Sequence, residues 1–245
     1  MPYRTIKYAK KGHIATIKLN QIKVARDDLA RELEEACGEV SGDEAVYTVI
    51  LTGTGETFID FNDAGPGERP PAGPAAFIAG IDRPVIVAIN GDVTGEGLEI
   101  ALSGDIRIAA DTARFAMPHA GQGRMPSDGG TQRLPRIVGR GKAMEMLLTG
   151  DVLSAAEALE TGLVSKVVPA EALAEEAQKL AETIAGKGPI AVRYLKEAVL
   201  KGMDMTLEQG LRLEADLYFL LHTTADRTEG VKAFREKRPP EFKGK

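Results

Sequence analysis

The chain has 245 residues, 43% of them hydrophobic, and a formal charge of −5. That length suits one large domain or a core with an appendage, and the acidic balance argues against a nucleic acid or an anionic membrane held by charge. The single cysteine, Cys37, excludes an intrachain disulfide. There is no zinc-ligand spacing and no apolar run of membrane-spanning length, and the first twenty residues lack a signal-peptide centre, so a cytoplasmic protein is expected.

In chain order, His13–Leu19 alternates apolar and polar residues and predicts a half-buried strand, with His13 at the surface. Asp27–Val40 places Leu29, Leu33 and Cys37 on one helical face. Tyr47–Thr52 and Pro84–Asn90 are short β-branched runs that predict buried strands, each ending at a glycine-containing turn. Residues 62–74, NDAGPGERPPAGP, exclude regular structure and read as a binding loop or lid. Thr94 is positioned to cap a helix that begins there. Asp105–Ala110 is another strand. Ser154 is an N-cap for residues 155–160, with Gly162 as the stop. Helical spacing then recurs over 171–185, 190–201 and 207–221, where Tyr218 and Phe219 read as packing residues and His222 as an interface or core residue. Strands alternating with helices predict βαβ units.

Residues 83–150 read RPVIVAINGDVTGEGLEIALSGDIRIAADTARFAMPHAGQGRMPSDGGTQRLPRIVGRGKAMEMLLTG, and residues 224–244 read TADRTEGVKAFREKRPPEFKG. Both stretches resemble signatures of the crotonase (enoyl-CoA hydratase/isomerase) superfamily, and the likeness covers nearly the whole chain. The resemblance implies an α/β fold, with a crotonase-like ββα spiral core over 1–188. It also implies a helical C-terminal segment over 189–245 that packs homotrimers, often as dimers of trimers.

Three stretches depart from the family pattern. The turn after the first strand, LNQIKVARDD (19–28), is short and lacks the family's proline. The loop whose backbone N–H groups bind a thioester oxygen in the family reads FIDFNDAGPG (58–67); Asp60 and Phe61 replace an Ala-Gly pair, while Asp63 is retained. The glycine-rich element reads TGEGLE (94–99), with Glu96 at a glycine position.

A further difference concerns the acid/base. Where the hydratases carry a glutamate after the proline of this motif, the chain has His119, and Asp128 follows nine residues on. That pair is similar to the β-diketone hydrolases related to 6-oxocamphor hydrolase. The similarity implies retro-Claisen cleavage of a C–C bond in a small 1,3-diketone, without CoA, metal or organic cofactor. His119 is then general base and proton donor, Asp128 its orienting carboxylate, and Glu96 a contact to water or enolate. Glu99, Asn62 and Asp63 are expected to line the substrate site, the Asn62 N–H as an oxyanion donor.

Plainer readings exist for the same residues. Asp128 also suits the start of a helix, and Glu96 suits a first turn favoured by the helix dipole. Glu99 matches the other hydratase glutamate, which supports a second expectation, a CoA-thioester hydratase or isomerase using Glu99 as acid/base. A non-catalytic scaffold or RNA-binding protein is a third, and the acidic balance counts against RNA.

Overall fold

The computed structural model describes residues 3–20, 24–59, 61 and 73–245. A hairpin opens the chain, with β1 (Ile6–Lys11) antiparallel to β2 (Ile14–Leu19). After α1 (Arg26–Gly42), β3 (Thr48–Thr52) lies parallel to β2, with Ile14 opposite Thr48. Next come α2 (Pro74–Ala79), β4 (Val85–Ile89), β5 (Val93–Thr94) and α3 (Glu96–Leu102). They are followed by β6 (Ile106–Ala110), β7 (Arg114–Ala116), α4 (Gly130–Thr149), β8 (Leu153–Ser154), α5 (Ala155–Glu160) and β9 (Lys166–Val168). The main sheet has the order β1-β2-β3-β4-β6-β9, parallel from β2 onward, and a small sheet has the order β5-β7-β8. Helices α6 (Leu173–Ala185), α7 (Pro189–Gly202), α8 (Leu207–Leu221) and α9 (Ala225–Glu236) complete the chain.

The run VIVAI and the centre of TVILT are apolar and buried because their sheet is covered on both faces. Val49, Leu51, Val85 and Val87 belong to the main core, which includes Leu29, Leu33 and Val40 of α1. Ile50, Ile86 and Ala88 face the other way and pack with Ala177 and Ala181 of α6. The mixed α/β architecture with a helical C-terminal region is the expected one. The strands and helices that the sequence predicts fall within a residue or two of their expected limits, and Ser154 caps α5 in a reciprocal capping box with Glu157.

Some expectations need correction. Thr94 does not cap α3: it lies in β5, and Gly95 holds the N-cap position at φ 54°. That backbone turn is open to glycine and costly for other residues. Tyr218 and Phe219 are exposed, not packed within the chain, and of the two readings for His222 its exposure excludes a place in the core of the chain. The Pro/Gly-rich loop 62–74 lies outside the described residues but for its last two positions.

Two buried charged side chains fix α1 in place. Arg83 donates to the carbonyls of Ser41 (3.1 Å), Val46 (3.3 Å) and Asp43 (3.3 Å), satisfying groups at the helix C-terminus. Glu32 accepts from the N–H groups of Arg4 and Thr5 and from the Thr5 hydroxyl (2.6 Å). Burial acts to raise the Glu32 pKa, but the Thr5 hydroxyl and the backbone donors outweigh it and hold the carboxyl below its ordinary 4.5. A depressed pKa stabilises the fold above the ordinary value, and that contribution is lost as pH falls through the lowered one. Glu32→Gln is therefore expected to cost about 1–3 kcal/mol at neutral pH. In urea denaturation the gap to wild type should narrow on acidification below 4.5; a gap independent of pH would contradict this account.

Candidate active site

The first turn of α3 is the centre of the site. α3 enters through Gly95 beside His119: a Cβ at Gly95 would stand 3.6 Å from the imidazole Cε1, ordinary van der Waals contact. His119 follows β7 and Pro118, is only 5% exposed, and begins the short 3-10 turn Ala120–Gln122. Its carbonyl accepts the N–H groups of Gln122 (3.0 Å) and Arg124 (2.9 Å), which fixes the backbone that carries the ring.

One turn along α3, Glu99 is fully buried. Its Oε1 accepts the N–H groups of Asp128 (2.6 Å) and Gly130 (2.8 Å), and its Oε2 has a longer contact with the Ser127 N–H at 3.4 Å. Gly130 is the first residue of α4, whose N–H has no partner within the helix, and Ser127 and Asp128 lie just before it. A carboxylate there also meets the positive end of the helix dipole. Glu99 thereby joins α3 to α4 and has one oxygen held more loosely than the other.

Asp128 and Glu96 share a cation. Arg26, the first residue of α1, approaches Asp128 Oδ2 at 3.5 Å and Glu96 Oε2 at 3.6 Å. Asp128 Oδ2 also accepts the Ala75 N–H at 2.8 Å, so it caps the start of α2 from a distance. Glu96 Oε1 takes a second cation, Arg124, at 3.2 Å. Gly73 leaves room for this cluster, since a Cβ there would collide with Asp128 Oδ2 and Arg26 Nη2.

The structure thus gathers His119, Glu96, Glu99 and Asp128 around α3, with Arg26 common to Glu96 and Asp128. The described partners of the Asp128 carboxylate are Arg26 and Ala75. Asn62 and Asp63 lie outside the described residues, as does most of the loop to which they were assigned. Arg26 is the site residue that sequence reasoning missed; its only signal was a charge beside DD at a helix start. Among the described residues there is no cluster of three or more His, Cys, Asp or Glu side chains that could hold a metal ion, and no helix is long and apolar enough to cross a membrane.

Comparison with known proteins bears on what this site does. The family model for enoyl-CoA hydratase/isomerase matches residues 74–245. The crotonyl-CoA hydratase of Syntrophomonas wolfei is 38% identical over 257 residues, covering 99% of both chains. The mitochondrial enoyl-CoA hydratase of Pongo abelii is 39% identical over 249 residues, covering 97% of this chain and 86% of that one. The crystal structure of an enoyl-CoA hydratase from Bacillus anthracis superimposes with a TM-score of 0.93 at 38% identity, over 99% of this chain and all of the other.

These findings overturn the diketone hydrolase expectation and its diketone substrate. A histidine and an aspartate nine positions apart are two residues, whereas the likeness to hydratases runs the length of the chain. The structure supplies a physical reason for the misreading. Asp128 has structural work of its own, capping α2 and balancing Arg26, which accounts for a buried carboxylate without any reaction. By its sequence from Pro74 onward, its full-length relatives and its fold, the chain belongs to the enoyl-CoA hydratase/isomerase family of the crotonase superfamily.

Proposed function

We propose that the protein is a hydratase or isomerase of CoA thioesters and that Glu99 is its acid/base. The observation that carries this reading is the Glu99 carboxylate, buried beside the start of α4 with Oε1 fixed by two backbone N–H groups. The names of the full-length relatives, crotonyl-CoA hydratase and enoyl-CoA hydratase, support the substrate class.

Hydration of a 2-enoyl thioester needs a base for the attacking water, a proton for C2, and donors for the thioester oxygen as enolate charge builds. Glu99 takes the proton from water through Oε2, the less firmly held oxygen, as the water oxygen bonds to C3. His119 supports it from the position of the second hydratase glutamate, where an imidazole is suited to giving or taking the C2 proton near neutral pH. In an isomerisation the same Glu99 carries a proton between C2 and C4. Burial of both side chains keeps bulk water from competing for these protons.

Glu99→Gln preserves size and an acceptor but removes the base. It is expected to lower kcat on crotonyl-CoA or a 3-enoyl-CoA by about 10²–10⁴-fold, with the circular dichroism spectrum unchanged. Undiminished turnover in that variant would rule out the role of Glu99.

The C-terminal helices support an oligomer. Leu207, Phe219 and Phe234 are 80%, 76% and 85% exposed, and Leu211 and Tyr218 lie on the same helix as the first two. So much exposed apolar surface is unusual for a monomer, and further copies of the chain would cover it as a trimer or a dimer of trimers. Sedimentation velocity is expected to give three or six times the chain mass. Phe219→Glu should lower it; a wild-type monomer would contradict the assignment.

A further inference from the structure

Arg133 is the fourth residue of α4. Side chains on a helix lean back toward its N-terminus, and this one reaches the loop that precedes the helix. Its Nη1 donates to the Asp128 carbonyl at 2.6 Å. The guanidinium covers Gly129, where a Cβ would stand 2.2 Å from Nη1 and 2.9 Å from Cζ. Gly129 is also held at φ 101°, a conformation that glycine adopts without strain. Arg133 makes no ion pair among the described residues, so its charge is directed at a backbone carbonyl.

That carbonyl belongs to the segment that holds the proposed acid/base. The N–H groups of Asp128 and Gly130 converge on Glu99 Oε1, at 2.6 Å and 2.8 Å, with Gly129 between them. Backbone N–H groups gathered in this way around a left-handed residue form a concave anion site. Glu99 takes the N–H of Asp128 and Arg133 takes its carbonyl. The peptide units on both sides of the Asp128 Cα are therefore fixed, and with them the direction of the donors that place Glu99. A charge-assisted bond is roughly twice as strong as a neutral one, which suits a donor that holds a loop in place.

Resting on the thioester reading above, we propose that Arg133 is a positioning residue for Glu99. It acts through the Asp128 peptide and touches no substrate. Without it the backbone over 128–130 relaxes, the two donors no longer meet at one oxygen, and Glu99 Oε2 loses its aim at the attacking water. A displacement of about 1 Å at a reacting group costs roughly 10²-fold in rate. Arg133 also lines a cavity of about 800 Å³, together with Leu102, Arg136, Leu195, Lys196 and Met203. That cavity gives a small cation a route to the place of the lost group.

The test uses whichever of crotonyl-CoA and a 3-enoyl-CoA wild type converts faster, with calorimetric binding of butyryl-CoA in parallel. Arg133→Ala and Arg133→Met are measured alone and in the Glu99→Gln background. The methionine keeps apolar bulk over Gly129 and removes every donor. Both single variants are expected to lose about 10²-fold in kcat, with the Kd for butyryl-CoA unchanged. Guanidinium chloride below denaturing concentration should restore part of kcat to Arg133→Ala and none to Arg133→Met, whose side chain fills the space. With Glu99→Gln in place, the Arg133 substitutions should lower kcat no further, because residues that act as one unit do not add their effects. Full kcat in the single variants, or the same fold-loss with and without Glu99, would overturn the proposal while leaving the thioester reading intact. Loss of folding in both variants, seen by circular dichroism, would make Arg133 a determinant of the fold and overturn it too. If wild type neither binds nor converts a thioester, the thioester reading falls first and the proposal with it.

Discussion

The junction between α3 and α4 depends on one buried carboxylate. The first N–H groups of a helix need partners; Glu99 provides one for Gly130, the first residue of α4, and another for Asp128 just before it, from the neighbouring helix. Because α3 enters through Gly95 against the His119 ring, the same junction sets how the two candidate proton carriers stand to each other. Packing and chemistry are therefore coupled at this point. A side chain held by backbone donors on one oxygen is well positioned, and it also has little freedom to be replaced.

The second constraint is electrostatic. Burying Glu96 and Asp128 without a counter-charge would be costly, and Arg26 offsets both from the start of α1. The arrangement links three helices that are far apart in sequence, since Asp128 also caps α2.

Much of the fold was legible because its parallel strands are buried on both faces and read as unbroken apolar runs, as in VIVAI. The edge strand β1 was not, since IKYAKK exposes most of its residues to solvent and carries lysines. The strands of the small sheet are two or three residues long and owe their pairing to tertiary contacts rather than to pattern. Of the site, His119, Glu96, Glu99 and Asp128 could be found from their places in a long motif. Arg26 could not, because its partners lie 70 and 102 positions away. The function was misread where a spacing of two residues was weighted above the frame around them; Asp128 has a structural use that no spacing reveals.

The central claim is that the site around Glu99 acts on a CoA thioester. Calorimetric titration of the wild-type protein with butyryl-CoA, which has no double bond to hydrate, tests it without depending on turnover. The account predicts saturable binding near one thioester per chain, weaker for free CoA because the acyl group then makes no contact. An absence of binding at millimolar thioester, with the protein folded, would contradict it.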